Sequence, residues 1–261
     1  MEAILIEIVI GFIVGGLMGF TGLGGGVVLL PILILGLHVP PIIAVGSSAA
    51  FASLTKLSAA VSYWRRGFVE WKLVVAMCCG SVPSGLTGVA ILATLRAHYG
   101  AGINQILSPI IGVVLFLVAG LVMWQNPIQN LGGSPLRNRL PGWLTPFWGA
   151  VATGAIGGLF VGVTSIGAGS VIMVLLLLFF SRCPAVLVGT DICHGLVLTT
   201  VVALAHLNLG TVDRSLVLMM LVGSLPGAIL GSKLNAVLPG TRTRQVLLFT
   251  LIFAGIAMVH P

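Results

Sequence analysis

Hydrophobic residues along this chain form long stretches that short polar segments separate. Residues 8–55 run for 48 positions without an Asp, Glu, Lys or Arg. About 20 apolar residues in a helix cross the hydrocarbon layer of a membrane, where unpaired backbone groups cost several kcal/mol each. Further charge-free stretches cover 73–95, 97–136, 140–181, 192–212, 215–232 and 245–261. The pattern therefore predicts an all-α, polytopic membrane protein with no separate soluble domain.

The run TGLGGG at residues 21–26 interrupts the first apolar stretch. Each glycine in a helix interior costs roughly 1 kcal/mol relative to alanine, so four of them close together indicate a break in the helix. Gly11, Gly15 and Gly19 are spaced by four residues instead. That spacing is typical of close helix packing, and we assign it to these three glycines.

The chain contains an internal repeat with an offset of 143 residues. Residues 11–88 align with 154–231 without a gap, so that TGLGGG falls on TSIGAG and GSVPSGLTG falls on GSLPGAILG. Each unit is predicted to hold a broken pair of short helices followed by three membrane helices. The predicted elements are about 3–37, 41–63, 70–95 and 104–124 in the first unit, and about 145–181, 184–206, 213–236 and 244–260 in the second. The predicted domains are residues 1–124, a cytoplasmic linker at 125–142, and residues 143–261.

The two units are expected to be inverted relative to each other. Each broken pair returns to the side on which it started, and the three following helices make the number of crossings odd. Basic residues agree with this topology, because only Arg96 and Arg214 fall near one side. Nine others fall near the opposite, cytoplasmic side: Arg65, Arg66, Lys72, Arg137, Arg139, Arg182, Lys233, Arg242 and Arg244. Positive-inside topology explains the net charge of +7 better than nucleic-acid binding does, because the basic residues form no stripe.

Inverted repeats that each contain an interrupted helix point to a secondary transporter whose substrate lies where the breaks meet. The short helices predicted to begin near Val27 and Ser170 present free N–H groups and the positive end of a helix dipole, which bind anions. Glycine lets the backbone approach the ligand closely. The candidate binding residues at the breaks are Thr21, Gly22, Gly24, Gly25, Gly26, Thr164, Ser165 and Ser170.

Three ionisable residues lie deep within predicted membrane helices: Lys56, Asp191 and His194. Such groups are costly in a membrane and are functional candidates by default. Lys56 and Asp191 lie at matching depths, so they can form a pair, with Lys56 also a candidate for anion binding. Asp191 and His194 are candidates for proton coupling. A structural ion pair and a buried interior histidine are the alternatives.

The segment GFIVGGLMGFTGLGGGVVLLP, followed by PPIIAVGSSAAF and a second glycine break, resembles the TauE/SafE family of sulfite and organosulfonate exporters. The resemblance implies an inner-membrane carrier that exports a small sulfur-containing anion. It maps substrate binding onto Gly22, Gly24, Gly25, Gly26 and Ser47, with Gly167 and Gly169 in the second unit. Ser48 and Thr190 complete the predicted binding set. Ser48 is the first-unit counterpart of Asp191, and Thr190 is the second-unit counterpart of Ser47.

Other functions are weighed against transport. The chain has no GxSxG, no HExxH and no clustered carboxylates, and its histidines are scattered singly, so we predict no enzyme, no metal site and no cofactor. An anion channel and an importer of another small anion stay open. The expected partners are a small sulfur-containing anion and the lipid bilayer, with no nucleic acid, and a homodimer is compatible with the sequence.

Overall fold

The computed structural model consists of helices joined by short loops. The described residues are 2–21, 26–130, 146–167, 169, 171–180, 182–237 and 240–259. The α-helices are α1 (Glu2–Thr21), α2 (Gly26–Pro31), α3 (Pro41–Arg65), α4 (Trp71–Tyr99), α5 (Ile103–Asn130), α6 (Pro146–Thr164), α7 (Val171–Phe179), α8 (Pro184–Asn208), α9 (Arg214–Val237) and α10 (Gly240–Val259). A π-helical turn (Ile32–Gly36) extends α2, and a 3-10 turn (Gly100–Gly102) joins α4 to α5. No strand occurs within these ranges, and the predicted all-α class is confirmed.

Five stretches of the described residues are long and apolar enough to cross a membrane. They are Pro41–Arg65, Trp71–Met123, Phe147–Thr164, Ala185–Asn208 and Arg214–Gly231, the second of which contains all of α4 and most of α5. Large apolar side chains such as Leu54, Val113 and Phe253 are exposed on the surface. In a membrane this exposed apolar surface contacts lipid, so a polytopic membrane protein is the architecture that these helices form.

Corresponding helices of the two repeat units begin and end on the same local signals. Pro41 opens α3 and Pro184 opens α8, and the first helical position tolerates proline because its missing N–H would have no partner within the helix. Beyond the other ends, Gly67 (φ 73°) and Gly210 (φ 65°) adopt left-handed conformations. Glycine reaches that region without steric cost, so the chain turns there.

The helices α3 and α8 pack against each other, and contacts of two glycines show that they run antiparallel. Gly189, near the start of α8, lies against the backbone of Phe68, just after the end of α3. Gly46, near the start of α3, lies against the backbone of Thr211, just after the end of α8. We call these two ends of the molecule the 66–70 end and the 209–213 end.

Glycines set the closest helix contacts, which join α1 to α9 and α6 to α4. A side chain at Gly11 would collide with the backbone of Met220, and one at Gly15 with that of Ser224. The packing role predicted for Gly11 and Gly15 is confirmed, whereas the surroundings of Gly19 lie outside the described residues. The helices α5 and α10 form a further pair.

The proposed linker between the repeats is only partly described. The helix α5 continues to Asn130, beyond the predicted end of the first unit at residue 124. Residues 131–145, which hold most of the predicted 125–142 linker, lie outside the described residues. The domain boundaries therefore stay predictions.

Candidate functional site

Lys56, Asp191 and His194 gather where α3 packs against α8. Their exposed fractions are 8%, 6% and 0%. Lys56 lies nine residues before the end of α3, and Asp191 lies seven residues after the start of α8. At 1.5 Å per residue, both lie roughly 10–14 Å inside the 66–70 end. The charges of Lys56 and Asp191 interact electrostatically, so the structure brings together the two residues that the sequence placed at matching depth.

Ser81 of α4 joins this cluster through His194. The Nε2 atom of His194 lies 2.8 Å from Oγ of Ser81, and both residues are fully buried. Among the described residues, His194 Nδ1 and Asp191 Oδ1 have no hydrogen-bond partner. Asp191 and His194 are three residues apart on α8, so they lie on the same helix face. We call Lys56, Ser81, Asp191 and His194 the buried polar cluster.

The predicted hydroxyls of α3 and α8 lie apart from one another. Ser47 Oγ accepts a hydrogen bond from the backbone N–H of Asp213 (2.9 Å) at the 209–213 end. Thr190 Oγ1 accepts one from the backbone N–H of Glu70 (3.1 Å) at the 66–70 end. Ser47 thus holds Asp213, which precedes α9, and Thr190 holds Glu70, which precedes α4. Ser48 donates within its own helix, to the carbonyl of Val45 (2.9 Å).

The second helix break lies between the end of α6 and the start of α7. Thr164 Oγ1 donates to the carbonyl of Phe160 (2.7 Å) and accepts from the N–H of Ile166 (3.2 Å). Ser165 has a left-handed backbone (φ 56°) and is 3% exposed, and its Oγ has no partner among the described residues. Gly167 (φ 121°) also lies at positive φ. For Ser165, which is not a glycine, the left-handed conformation costs of order 1–3 kcal/mol, and such conformations occur preferentially at functional sites.

The remaining break residues are described only in part. Gly169 has a φ of 113°, while Ser170 lies outside the described residues. In the first break, Thr21 ends α1 and Gly26 begins α2. Gly22, Gly24 and Gly25 lie between them, outside the described residues, so the structure neither gathers nor separates these predicted binding residues.

An ion pair that the sequence pattern did not predict lies at the 66–70 end. Arg182, just before α8, donates from Nε and Nη2 to the two carboxylate oxygens of Glu70, at 2.9 and 3.0 Å. The hydrogen bonds and charge of Glu70 raise the pKa of the Arg182 guanidinium above its ordinary value. Both side chains are partly exposed, so the pair contributes little to stability.

A cavity of about 270 Å³ lies at the 209–213 end and shares no lining residue with the buried polar cluster. It is lined by Ile42, Leu92, Ala93, Arg96, Ala97, His206, Leu209 and Thr211. Arg96 Nη1 donates to the carbonyl of Leu209 (3.0 Å), and His206 Nδ1 lies 2.8 Å from Thr211 Oγ1. Most of its lining is apolar, so we place the candidate site at the cluster and the second break, where the polar groups are buried. Within the described ranges, no three His, Cys, Asp or Glu side chains gather as metal ligands would.

The comparisons with known proteins agree with this membrane architecture. Residues 7–258 match the family model described as sulfite exporter TauE/SafE. Probable membrane transporter protein YjnA of Bacillus subtilis (strain 168) is 32% identical over 261 residues, which cover 97% of this chain and 98% of that protein. Probable membrane transporter protein YdhB of the same organism is 25% identical over 258 residues, which cover 98% and 100%.

No solved structure matches the chain significantly. The family match and the relatives cover almost the whole chain, and the five apolar stretches are those of a multi-pass protein, consistent with the plasma membrane. The chain therefore belongs to the TauE/SafE family of membrane transporters.

Proposed function

We propose that this chain is a secondary transporter that exports a small sulfur-containing anion, such as sulfite or an organosulfonate, by alternating access. The observation that carries the proposal is the second helix break. There, the buried Ser165 hydroxyl has no partner among the described residues and lies on a left-handed backbone, one residue after the end of α6 and six residues before the start of α7. A helix N-terminus and a free hydroxyl donor together suit an oxyanion. The choice of a sulfur anion rests on the family description.

The two breaks are proposed to hold the anion between them. The first break contributes Thr21, Gly22, Gly24, Gly25 and Gly26, and the second contributes Thr164, Ser165, Gly167, Gly169 and Ser170. Ser47, Ser48 and Thr190 belong to the proposed set as well, but Ser47 and Thr190 hold the starts of α9 and α4 at opposite ends of the molecule, so a small anion would meet them at separate points of its path. Lys56 supplies the positive charge that attracts the anion.

Contacts that recur at the 143-residue offset support an inverted repeat. Gly11 faces Met220, and Gly154 correspondingly faces Met77. Gly11 and Gly154 are equivalent positions of the two units, and so are Met77 and Met220. The same contact is thus made twice, with the units exchanged, which is the arrangement that a two-fold axis produces. The corresponding helices α3 and α8 run antiparallel, so this axis crosses the helices, as it does in transporters with inverted topology.

The 66–70 end is proposed to be cytoplasmic, because Arg65, Arg66, Lys72 and Arg182 lie there. Single cysteines replacing Arg65 and Arg214, in a chain without its native cysteines, test this orientation. A membrane-impermeant thiol reagent added to intact cells should label the cysteine at 214 and leave that at 65 unlabelled. Labelling of both from the same side would contradict inverted topology.

We propose that Asp191 couples anion transport to proton movement, with Lys56 and His194 modulating its proton affinity. An anion that approaches Lys56 weakens the attraction between Lys56 and Asp191. Asp191 then binds a proton more readily, and by linkage the bound proton raises the affinity for the anion. Anion and proton are thereby carried together, so export requires that the outward gradient of the anion drive the transport.

Binding measurements on purified protein test the transporter proposal. We expect one or more of sulfite, thiosulfate, sulfate, sulfoacetate and taurine to bind, and Gly169→Leu to abolish that binding. Gly100→Leu is the matched control, because Gly100 also has a positive φ (55°) but lies after α4, outside the breaks, and faces open space. Equal affinity in Gly169→Leu and the unmodified protein would contradict the assignment of the anion to the breaks.

Flux measurements separate a carrier from the alternatives. A proton-coupled carrier accumulates anion against its gradient when a pH gradient is imposed across proteoliposomes. An anion channel only dissipates the anion gradient, whatever pH gradient is imposed. Net uptake towards the cytoplasmic face would favour an importer over an exporter.

A further inference from the structure

The hydrogen bond between Ser81 and His194 limits where the imidazole proton can lie. Among the described residues, Ser81 Oγ has one hydrogen-bond partner, His194 Nε2, at 2.8 Å. A hydroxyl can donate one hydrogen, and a neutral imidazole has one donor and one acceptor nitrogen. Two arrangements are therefore possible: Ser81 donates to a bare Nε2, or Nε2–H donates to Ser81.

Counting the unsatisfied groups separates the two arrangements. If Nε2–H donates, the Ser81 hydrogen has no acceptor, and His194 Nδ1 becomes a bare acceptor beside the carboxylate of Asp191. If Ser81 donates, only an Nδ1–H donor is left over, on the same helix face as the unpartnered Oδ1 of Asp191. Buried unsatisfied groups each cost free energy, so the arrangement with fewer of them is favoured.

We infer that Ser81 is a positioning residue that holds the proton of neutral His194 on Nδ1, so that His194 offers an N–H donor to the transported oxyanion beside Asp191. This inference rests on the proposed transport function and deepens it. A protonated Asp191 carries an O–H donor. Asp191 and His194 would then each donate to the anion, and Lys56 would supply the opposite charge. His194 thereby recognises the substrate through its Nδ1–H, in addition to modulating the proton affinity of Asp191.

The repeat provides a matched control for Ser81. Ser224 occupies the position 143 residues later, is buried, and lies against Gly15 as Ser81 lies against Gly158. Its hydroxyl donates to the carbonyl of Leu221 within its own helix (3.1 Å). Ser224→Ala therefore removes the same atom from an equivalent packing environment without touching a histidine.

Nitrogen-15 NMR of histidine-labelled protein in lipid tests the inference directly, with the signal of His194 assigned by its loss in His194→Phe. We expect Nδ1 to be protonated and Nε2 bare in the unmodified protein. Ser81→Ala should produce a mixture of tautomers and weaken sulfite binding about three- to ten-fold, the loss expected for one hydrogen bond. Ser81→Thr, which keeps the hydroxyl, should restore the tautomer, and Ser224→Ala should leave both readouts unchanged.

Three results would overturn the inference. They are an Nε2–H tautomer in the unmodified protein, an unchanged tautomer in Ser81→Ala, and an equal loss of sulfite affinity in Ser81→Ala and Ser224→Ala. Failure of the unmodified protein to bind any anion of the panel would instead contradict the proposed function. The NMR measurement would still decide whether Ser81 sets the tautomer.

Discussion

The pair formed by α3 and α8 contains two regions that the repeat makes equivalent but that differ in chemistry. Near the 66–70 end lie Lys56, Asp191 and His194. The positions that correspond to them at the 143-residue offset are Thr199, Ser48 and Phe51, which lie nearer the 209–213 end. One region thus carries buried charge, and its counterpart is neutral.

The neutral region satisfies its polar groups locally. Ser48 donates to the carbonyl of Val45 (2.9 Å), and Thr199 donates to that of Gly195 (2.7 Å), so each hydroxyl is bonded within its own helix. Asp191 has a buried oxygen without a hydrogen-bond partner among the described residues. Buried charges are costly to retain in a membrane. The difference teaches that this helix packing does not require charge at these positions, which supports our proposal that the charged region serves transport.

The largest expected effect comes from removing the charge of Asp191. Asp191→Asn should eliminate the dependence of anion flux on a pH gradient in proteoliposomes, because the amide cannot release a proton. It should leave anion binding largely intact, because the amide keeps a hydrogen-bond donor for the anion. Ser48→Ala, at the corresponding position of the neutral region, should keep the dependence. If folded Asp191→Asn protein retains the pH dependence of the unmodified protein, Asp191 does not couple the two ions.

Replacing the charged pair with its neutral counterpart tests the cost of the buried charges. Lys56→Thr alone should destabilise the protein by about 3–5 kcal/mol, because it leaves the carboxylate of Asp191 buried without its opposite charge. Adding Asp191→Ser should restore most of that stability, which thermal unfolding in detergent would measure. Thr199→Val is the control from the neutral region. A double variant as unstable as the single one would show that the pair is structural.

The two breaks also differ in chemistry, since Ser165 of the second break carries a hydroxyl and Gly22, at the corresponding position of the first break, has no side chain. Ser165→Ala should stabilise the protein by about 1–3 kcal/mol, because it removes a buried hydroxyl that lacks a partner among the described residues. The same change should weaken anion binding about three- to ten-fold. Melting temperature and sulfite affinity, measured together, check both effects. A loss of stability would assign the hydroxyl a structural role instead.

The smallest effect is expected at the surface of the 66–70 end. Glu70→Gln breaks the ion pair with Arg182. The 209–213 end has no equivalent pair, because Val39 occupies the position that corresponds to Arg182. Exposed ion pairs contribute little and are screened by salt. We expect a slight fall in melting temperature at low salt that disappears at high salt. A large fall at both salt concentrations would show that Glu70 holds the loops together by more than charge.

Much of the fold followed from the sequence because membrane helices obey simple rules of length and composition. The predicted spans 41–63 and 184–206 agree with α3 and α8 to within two residues. Depth along a helix follows from a fixed rise of 1.5 Å per residue, so the pairing of Lys56 with Asp191 could be anticipated. The packing of Gly11 and Gly15 followed from their spacing.

Only the tertiary structure decided which partner each polar side chain meets. Ser81 and His194 are 113 residues apart in the chain, and no local pattern links them. Ser47 and Thr190 were predicted as binding residues, yet their hydroxyls accept from the backbone N–H groups of Asp213 and Glu70. The hydrophobic pattern and the rise per residue determine how deep a residue lies in the membrane. The direction in which its side chain points depends instead on how each helix is rotated about its axis when its glycines pack against a neighbour, and the sequence alone does not give that rotation.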